Sequence, residues 1–336
     1  MVGEDGWVVT FGEAMMRMTP PGNERLERTT SLDLTVGGAE LNSAATLACL
    51  EVPTTFVSRL PNTPLGRAIV RGARAANVDL AHLQMAPESA GRAGVYFLEE
   101  ASDPRASAVY YDRADSAFAN MAPGAFDWKQ ILRRARALHI SGITPALGPG
   151  PRAETLAAIR AANAAGIPVA FDLNYRSKLW SESDARACFV EVVPLVDILF
   201  ASRGTLRTFF GIDGDHMTVL EQARTRLGLA VTVLSRKRGK ASRFVKLGSL
   251  AMGADGVAVE GPWRDVEVVD RLGGGDAFAG GFIAGYISDH DDIAHALALA
   301  SATQSLKHTM PGDFLCATKS EILAAMESTA GGVLQR

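Results

Sequence analysis

The sequence has few cysteines, little net charge and no long apolar run, and each absence excludes a class of protein. The cysteines Cys49, Cys188 and Cys316 are odd in number and far apart, so they fit neither a disulfide framework nor a zinc site. A net charge of −3 gives no electrostatic basis for binding nucleic acid or a membrane surface. Because no uninterrupted apolar run of about 18 residues occurs, we expect no membrane-spanning helix.

Composition and the first residues predict a folded protein of the cytoplasm. Of the 336 residues, 47% are apolar and 21% are charged, which supplies a full core and excludes a mostly disordered chain. Residues 1–6 lack the basic flank and the apolar stretch of a signal peptide. We therefore expect a cytoplasmic protein whose three thiols are reduced and lie in helices.

Short apolar, β-branched segments alternate with longer, alanine-rich segments, which is typical of a mostly parallel sheet covered by helices on both faces. The predicted strands are residues 7–11, 54–58, 137–141, 168–172, 197–201, 230–234 and 256–260. The predicted helices are residues 39–50, 64–76, 152–165, 183–192, 275–288 and 291–308. Two of these helices are expected to start at Ser183 and Asp291.

Two segments interrupt this alternation. Residues 13–36 carry no helical pattern, and residues 92–118 contain two predicted strands, 93–99 and 107–111, on either side of a turn at 102–105. Both segments predict a small β-sheet inserted into the α/β body. With no internal repeat and no linker, we expect one domain over residues 1–336.

The strongest local signal is the sequence DRLGGGDAFAGG at residues 270–281, between strand-like and helix-like segments. Gly273, Gly274 and Gly275 can expose backbone N–H groups, which at a helix N-terminus favour an anion such as phosphate. Asp276 lies in the first turn of that helix, where a carboxylate suits deprotonating a hydroxyl that attacks phosphorus. The alternative is a glycine-rich turn in which Asp276 only caps the helix.

Two further segments place polar groups beside predicted strands and helices. The sequence VGGAELN at residues 36–42 opens a helix, and its Gly38 and Asn42 suit a ligand close to the backbone, although a tight turn is an equal alternative. The strand at 168–172 ends in polar residues, Asp172, Asn174 and Arg176. Because ligands of open α/β sheets bind outside the carboxyl ends of strands, these residues form either part of a ligand site or a solvated loop.

Aromatic and basic residues form two more candidate segments. The sequence YYDR at residues 110–113 ends a strand of the insert, where Tyr111 and Arg113 suit a lid over a polar ligand, or ordinary packing. The basic sequence SRKRGK at residues 235–240 follows a predicted strand. Its Ser235 and Arg236 suit nucleotide phosphates, and a solvated basic loop is the alternative.

A competing interpretation is a dinucleotide site. Residues 148–153 read GPGPRA, which matches G-x-G-x-x-A, and Asp172 follows at about the distance of a ribose-binding acid. Pro149 and Pro151 have no backbone N–H, however, and so remove donors from the loop that would contact a pyrophosphate. The sequence therefore argues against an oxidoreductase of this type.

The two glycine motifs, in this order and about 230 residues apart, resemble the two signatures of the ribokinase-like (PfkB) carbohydrate kinases. The resemblance covers roughly residues 7–325, and it implies a three-layer αβα sandwich with a small β-sheet lid. The second motif in that family usually reads Asp-Thr-x-Gly-Ala-Gly-Asp, and here it has Arg271, Leu272 and Gly274. The resemblance implies that Asp276 is the catalytic base, and that Gly273, Gly274 and Gly275 form the anion hole.

Within the family, the chain is most similar to the 2-keto-3-deoxygluconate kinases, through the segments 37–42, 111–113, 139–144, 172–176 and 307–314. This similarity implies a set of sugar-acid contacts, namely Gly38, Asn42, Tyr96, Tyr111, Arg113, Arg176 and Asp313. It implies a set of nucleotide contacts, namely Asn174, Ser235, Arg236, Gly273, Gly275 and His308. Two arginines beside the sugar agree with a substrate that carries a carboxylate.

The resemblance implies ATP and Mg²⁺ as cofactors, with a monovalent cation left open. The family commonly has Asn-x-x-Glu where this chain has residues 202–205, SRGT, so an acid that helps to organise magnesium is missing and no metal ligand is assigned. We expect phosphorylation of 2-keto-3-deoxygluconate on its 6-hydroxyl. The alternatives are another sugar (fructose, ribose or an inositol-derived keto acid) and a sugar-acid sensor with weak kinase activity. The open edge of the lid predicts a homo-oligomer, a dimer through the lid or larger.

Overall fold

The computed structural model describes residues 6–102, 104–238 and 243–327. The strands are β1 (Trp7–Phe11), β2 (Met15–Thr19), β3 (Asp33–Gly37), β4 (Thr54–Pro61), β5 (Leu83–Ala86), β6 (Gly94–Glu99), β7 (Ala108–Asp112), β8 (Ala135–Ser141), β9 (Val169–Asp172), β10 (Ile198–Ala201), β11 (Val231–Arg238), β12 (Phe244–Met252), β13 (Ala258–Glu260) and β14 (Arg264–Glu267). The helices are α1 (Ala39–Cys49), α2 (Pro64–Ala75), α3 (Trp128–Ile131), α4 (Pro149–Ala164), α5 (Glu182–Val192), α6 (Arg203–Phe210), α7 (His216–Leu227), α8 (Gly274–Ser288), α9 (Ile293–His308) and α10 (Lys319–Glu327).

The larger sheet is mostly parallel, as the alternation of segments predicts. Its order is β13-β12-β11-β10-β9-β8-β1-β4-β5, and β14 also pairs with β12. All pairs from β11 to β5 are parallel, whereas β12 is antiparallel to β11, β13 and β14. The carboxyl ends of the parallel strands therefore meet at one edge, where ligands of such sheets bind.

Successive residues of the central strands point to opposite faces of the sheet, and each face has its own core. Val9 and Phe11 of β1 belong to a cluster with side chains of α4, α5, α6 and α7. Val8, the residue before Val9, belongs to a second cluster that includes Leu47 of α1, Phe282 of α8 and other side chains of α8 and α9. Helices thus cover both faces, and the result is three layers.

The interrupting segments form a second sheet, as predicted, with the order β3-β2-β6-β7. On one of its faces Met16 and Val95 pack in a cluster with Leu41 of α1 and Ile69 of α2. The other face carries Arg17, which lies opposite Tyr96 in the next strand. This sheet, residues 15–19, 33–37, 94–99 and 108–112, is called the lid below.

Several predicted boundaries are wrong, because side-chain caps and pairing partners decide them. The side chain of Ser181, not Ser183, caps α5 by accepting from Asp184 N. Asp292, not Asp291, caps α9 in the same way. Helix α4 begins at Pro149, three residues before its predicted start, because proline needs no N–H partner in a first turn.

The basic segment and one cysteine also differ from expectation. Strand β11 continues to Arg238, beyond the predicted end at residue 234, because β12 pairs along its whole length. Gly239 and Lys240 lie outside the described residues, as do residues 1–5 and the tip of the turn at 102–105. All three cysteines are free thiols, but Cys316 lies in the loop before α10 and not in a helix. Within the described ranges, every helix is too short or too polar to span a bilayer.

Candidate active site

The two glycine motifs meet at the carboxylate of Asp276. Asn42 in α1 donates from Nδ2 to Asp276 Oδ2 at 2.7 Å, and Ser43 Oγ donates to the carbonyl oxygen of Asp276 at 3.0 Å. Burial raises the pKa of Asp276 to about 7, the hydrogen bond from Asn42 opposes this shift, and the charge of Asp172 adds to it. A carboxylate with a pKa near neutrality is well matched to accept a proton from a hydroxyl.

The glycines before Asp276 expose the start of α8. Gly273 has φ +78°, and a Cβ there would overlap the carbonyl oxygen of Asp313, so both the conformation and the space require glycine. A Cβ on Gly274 would overlap the ring of His308, whereas Gly275 faces open space. In the described part of the chain, the N–H groups of Gly274, Gly275 and Asp276 find no backbone acceptor. These donors at a helix N-terminus can hold an anion.

One cavity brings the predicted sugar-acid contacts together. It encloses about 680 Å³ of empty space, part of which is open to solvent. All seven predicted residues line it, namely Gly38, Asn42, Tyr96, Tyr111, Arg113, Arg176 and Asp313. Gly273 and Asp276 complete its wall, so the candidate base faces the same space as both arginines. This space is called the lid cavity below, because lid residues form one of its walls.

A second cavity lies on the other side of the α8 N-terminus. Asn174, Ser235 and Gly275, three of the predicted nucleotide contacts, line it together with Asp172. Arg176 and Asn174 border both cavities. Two ligands could therefore meet across the first turn of α8, one in each cavity.

Two predicted nucleotide contacts lie elsewhere. Arg236 Nη1 is 2.7 Å from Glu260 Oε1, and its guanidinium lies 4.6 Å from the ring centroid of Trp263. His308 is buried, and its Nδ1 is 2.8 Å from the carbonyl oxygen of Gln304. Burial lowers the pKa of His308, and its ring fills the space that a Cβ on Gly274 would take. Neither Arg236 nor His308 lines the lid cavity or the second cavity.

Glu13 is a site residue that the sequence analysis missed. Its Oε2 lies 3.0 Å from Arg113 Nε, with 2% and 10% of the two side chains exposed. The N–H direction does not suit a hydrogen bond, so the contact is an ion pair only. Ser116 donates to Glu13 Oε1 at 2.5 Å, and the Arg113 guanidinium lies 5.2 Å from the Tyr111 ring centroid. No local pattern links residues so far apart in the chain.

Glu40 is a second missed residue, although its segment was singled out. It is buried in the first turn of α1, and its Oε1 accepts from Ser141 N, Ser141 Oγ and Thr144 Oγ1 at 2.7–2.8 Å. Burial raises the pKa of Glu40 to about 7, against these hydrogen bonds. Glu40 ties the first glycine motif to the loop after β8. Both sides of this contact lie in segments that carry the family resemblance, GGAELN at residues 37–42 and HISGIT at residues 139–144, and their joint presence is the signal for it.

A carboxylate at the second cavity that could serve a metal is Asp172, at the end of β9. Its Oδ1 accepts from Asn174 N at 3.0 Å, and burial raises its pKa to about 6. Ser202 and Thr205, where the family motif has its acid, instead cap α6 reciprocally. No group of three or more His, Cys, Asp or Glu side chains that could hold a metal ion occurs in residues 6–102, 104–238 and 243–327.

The dinucleotide interpretation finds no support in the loop at residues 148–153. Gly148 and Pro149 begin α4 directly. A Cβ on Gly150 would overlap the carbonyl oxygen of Met121, so neighbouring backbone already covers this loop. A pyrophosphate therefore has no space against Gly150.

Comparison with known proteins identifies the family. The pattern of the pfkB family carbohydrate kinases matches residues 7–319. The 2-dehydro-3-deoxygalactonokinase of Haloferax volcanii is 35% identical over 326 residues, which are 97% of this chain and 98% of that protein.

Solved structures agree with the predicted ribokinase-like fold. The 2-dehydro-3-deoxygluconokinase of Thermotoga maritima has a TM-score of 0.91 at 34% identity, with 96% of this chain and 100% of that chain covered. A ribokinase II candidate from E. coli, solved with ATP and Mg²⁺, has a TM-score of 0.80 at 21% identity, with 96% and 99% covered, and this likeness concerns the fold alone. The chain belongs to the PfkB family of carbohydrate kinases.

Proposed function

We propose that this kinase transfers the γ-phosphoryl group of ATP to the terminal 6-hydroxyl of 2-keto-3-deoxygluconate. One observation carries the proposal: Asp276 lies in the wall of a cavity that also contains two arginines. A neutral sugar offers these cations no charged partner, whereas the carboxylate of a sugar acid does. The catalytic base and the carboxylate-binding groups thus share one space.

Arg176 and Arg113 differ in how they are held. Arg176 is exposed at the point where the two cavities meet, so it is available to an anionic ligand. The Nε of Arg113 is next to Glu13, which holds the side chain in place. In the proposal Arg113 is the fixed cation for the substrate carboxylate, and Tyr111 covers it from the lid.

Asp276 removes the proton of the 6-hydroxyl while the oxygen attacks the γ-phosphorus. The bond between that phosphorus and the bridging oxygen of ADP breaks, and ADP leaves on the side of the second cavity. The free N–H groups at the start of α8 stabilise the charge that develops on the phosphoryl oxygens. The lid keeps water from the base and so limits ATP hydrolysis.

The residues of the second cavity fit a magnesium ion that accompanies ATP. Mg²⁺ keeps several waters and binds the nucleotide phosphates together with one or two carboxylates. Asp172 is the carboxylate that borders this cavity, so it would hold the ion directly or through water. The bound ion supplies positive charge to the phosphates. Ser235 and Gly275 are the neighbouring polar contacts in the proposal.

The decisive experiment is an assay that couples ADP formation to a panel of substrates. The panel contains 2-keto-3-deoxygluconate, its C4 epimer 2-keto-3-deoxygalactonate, 5-keto-2-deoxygluconate, fructose and ribose. We expect the highest kcat/KM for 2-keto-3-deoxygluconate and low values for both neutral sugars. The highest kcat/KM for a neutral sugar would refute the sugar-acid assignment. The highest kcat/KM for another acid would correct the identity of the substrate.

The same panel tests the sensor alternative. Binding of a sugar acid in a thermal-shift measurement, with no ADP formed at any magnesium concentration, would favour a sensor over a kinase. Assembly through the lid stays a prediction, which sedimentation of the protein at several concentrations would decide.

A further inference from the structure

A buried ion cluster joins the lid to the loops beside the glycine motif. Arg17 of β2 places Nη1 2.6 Å from Asp270 Oδ2 and 2.8 Å from Asp313 Oδ1. No more than 6% of any of these three residues is exposed. A third carboxylate, that of Glu100, is at the edge of the cluster, 3.4 Å from Nη2 and one-third exposed. One guanidinium therefore bridges three separate parts of the chain.

Both carboxylates that Arg17 bridges hold the loops around the start of α8. Asp270 accepts from Leu272 N and from Gly312 N, each at 3.0 Å, so it fixes the turn that leads into the glycines. The backbone of Asp313 packs directly on Gly273. A displacement of Arg17 would therefore displace the donors that bind the transferred phosphoryl group.

The other end of the cluster reaches the sugar side. Tyr96 of β6 donates to Asp313 Oδ2 at 2.5 Å, and both residues line the lid cavity. Arg17 itself lines neither the lid cavity nor the second cavity, so its role is to position other groups. It connects the lid strands that cover the sugar with the loop that covers the phosphate.

We propose that Arg17 is a positioning residue that couples sugar binding under the lid to the phosphate-binding start of α8. A sugar that seats Tyr96 and Asp313 fixes the guanidinium, and the guanidinium fixes Asp270 and the turn after it. Phosphate binding and sugar binding then favour each other, and transfer to the sugar hydroxyl is favoured over transfer to water. The inference rests on the proposed function, because it concerns the same two ligands.

Burial of the cluster makes the choice of variant important. Removing Arg17 alone would take the bridging cation away from two buried carboxylates, which destabilises a fold. Arg17→Lys keeps the charge and loses the planar fork that spans both carboxylates. The double variant Arg17→Met with Asp270→Asn keeps the local charge balance and removes the bridge. Glu100→Gln is the matched control, because it removes only the peripheral partner of the same guanidinium.

Calorimetry with a non-hydrolysable ATP analogue, with and without the best substrate of the panel, measures the coupling. In the natural protein we expect the sugar to tighten nucleotide binding about tenfold. In Arg17→Lys and in the double variant we expect this factor to fall to about 1, while kcat falls about tenfold or more. Glu100→Gln should behave as the natural protein. Melting temperatures within about 5 °C of the natural protein would show that each variant folds.

The outcomes separate the two proposals. A natural protein that phosphorylates no sugar acid contradicts the proposed function and says nothing about Arg17. Normal kcat and normal coupling in Arg17→Lys and in a folded double variant overturn the role of Arg17. If Arg17 were merely structural, its variants would bind nucleotide more weakly both with and without the sugar, and the factor between the two affinities would stay the same. That result would also overturn the proposed role of Arg17.

Discussion

Asn42 Nδ2 and Asp276 Oδ2 lie 2.7 Å apart, although the residues are 234 positions apart in the chain. Gly38 is the N-cap of α1, and Gly273 is the N-cap of α8. Each glycine motif alone could be an ordinary turn before a helix. Because the amide of one motif bonds to the carboxylate of the other, the two motifs form a single site.

Replacing the candidate base should abolish turnover and leave binding in place. Asp276→Asn keeps the size of the side chain and loses the proton acceptor. We expect kcat to fall about 10³-fold, because general base catalysis contributes on that order. Sugar binding, followed by calorimetry, should change less than about threefold. A variant with nearly normal kcat would remove Asp276 from the base role.

The hydrogen bond from Asn42 should set the pH at which the enzyme becomes active. Asp276 has a pKa of about 7, and activity requires its ionised form, so kcat/KM rises with pH through that value. The donor favours the ionised form, so its loss in Asn42→Ala raises the pKa of Asp276. The acidic limb of the pH profile should then shift to higher pH.

Ser43→Ala is the matched control for this shift. Ser43 donates to the backbone carbonyl of Asp276 and not to its carboxylate. The acidic limb of the Ser43→Ala profile should stay within about 0.3 pH unit of that of the natural protein. Equal shifts in both variants would show that general disturbance of the site, and not the Asn42 hydrogen bond, moves the pKa of Asp276.

The two arginines of the lid cavity should differ in their effect on stability. Arg113→Ala leaves Glu13 buried without its cation, and we expect a loss of about 3 kcal/mol in the free energy of unfolding. Arg176→Ala removes an exposed side chain, so the loss should be below about 0.5 kcal/mol. Urea unfolding measures both.

Glu13→Gln added to Arg113→Ala should recover part of the lost stability, because the uncompensated charge is gone. Equal losses of stability in Arg113→Ala and Arg176→Ala would contradict the importance of the Glu13–Arg113 pair. With a sugar acid as substrate, both arginine variants should raise KM more than they do with a neutral sugar.

Neighbouring glycines at the start of α8 should separate folding from activity. Gly274→Ala places a methyl group into the ring of His308, and we expect a loss of about 2 kcal/mol in the free energy of unfolding. Gly275→Ala meets nothing within 4 Å, so stability should change by less than about 1 kcal/mol. Its methyl group should instead raise KM for ATP, because Gly275 lines the second cavity. A Gly275→Ala enzyme with normal kinetics would argue against phosphate binding there.

Local sequence patterns determined much of this protein. The alternation of short apolar and longer alanine-rich segments predicts the parallel sheet and its two helical layers, because burial on both faces of a strand needs apolar residues at every position. The interruptions at residues 13–36 and 92–118 predict the lid. The glycine runs predict where backbone meets ligand, since glycine has no Cβ to keep a ligand away from the backbone N–H groups.

Only the tertiary structure decided which polar side chains pair with which. The ion pairs of Arg17 with Asp270 and of Arg113 with Glu13 join residues that no periodicity relates. The sequence predicts Arg236 as a phosphate ligand, and only the structure places its guanidinium against Glu260 and Trp263, apart from the lining of both cavities. A charged side chain has several possible partners along a chain, and the geometry of packed strands and helices selects one. Sequence thus determined the backbone of the site, and packing decided its charges.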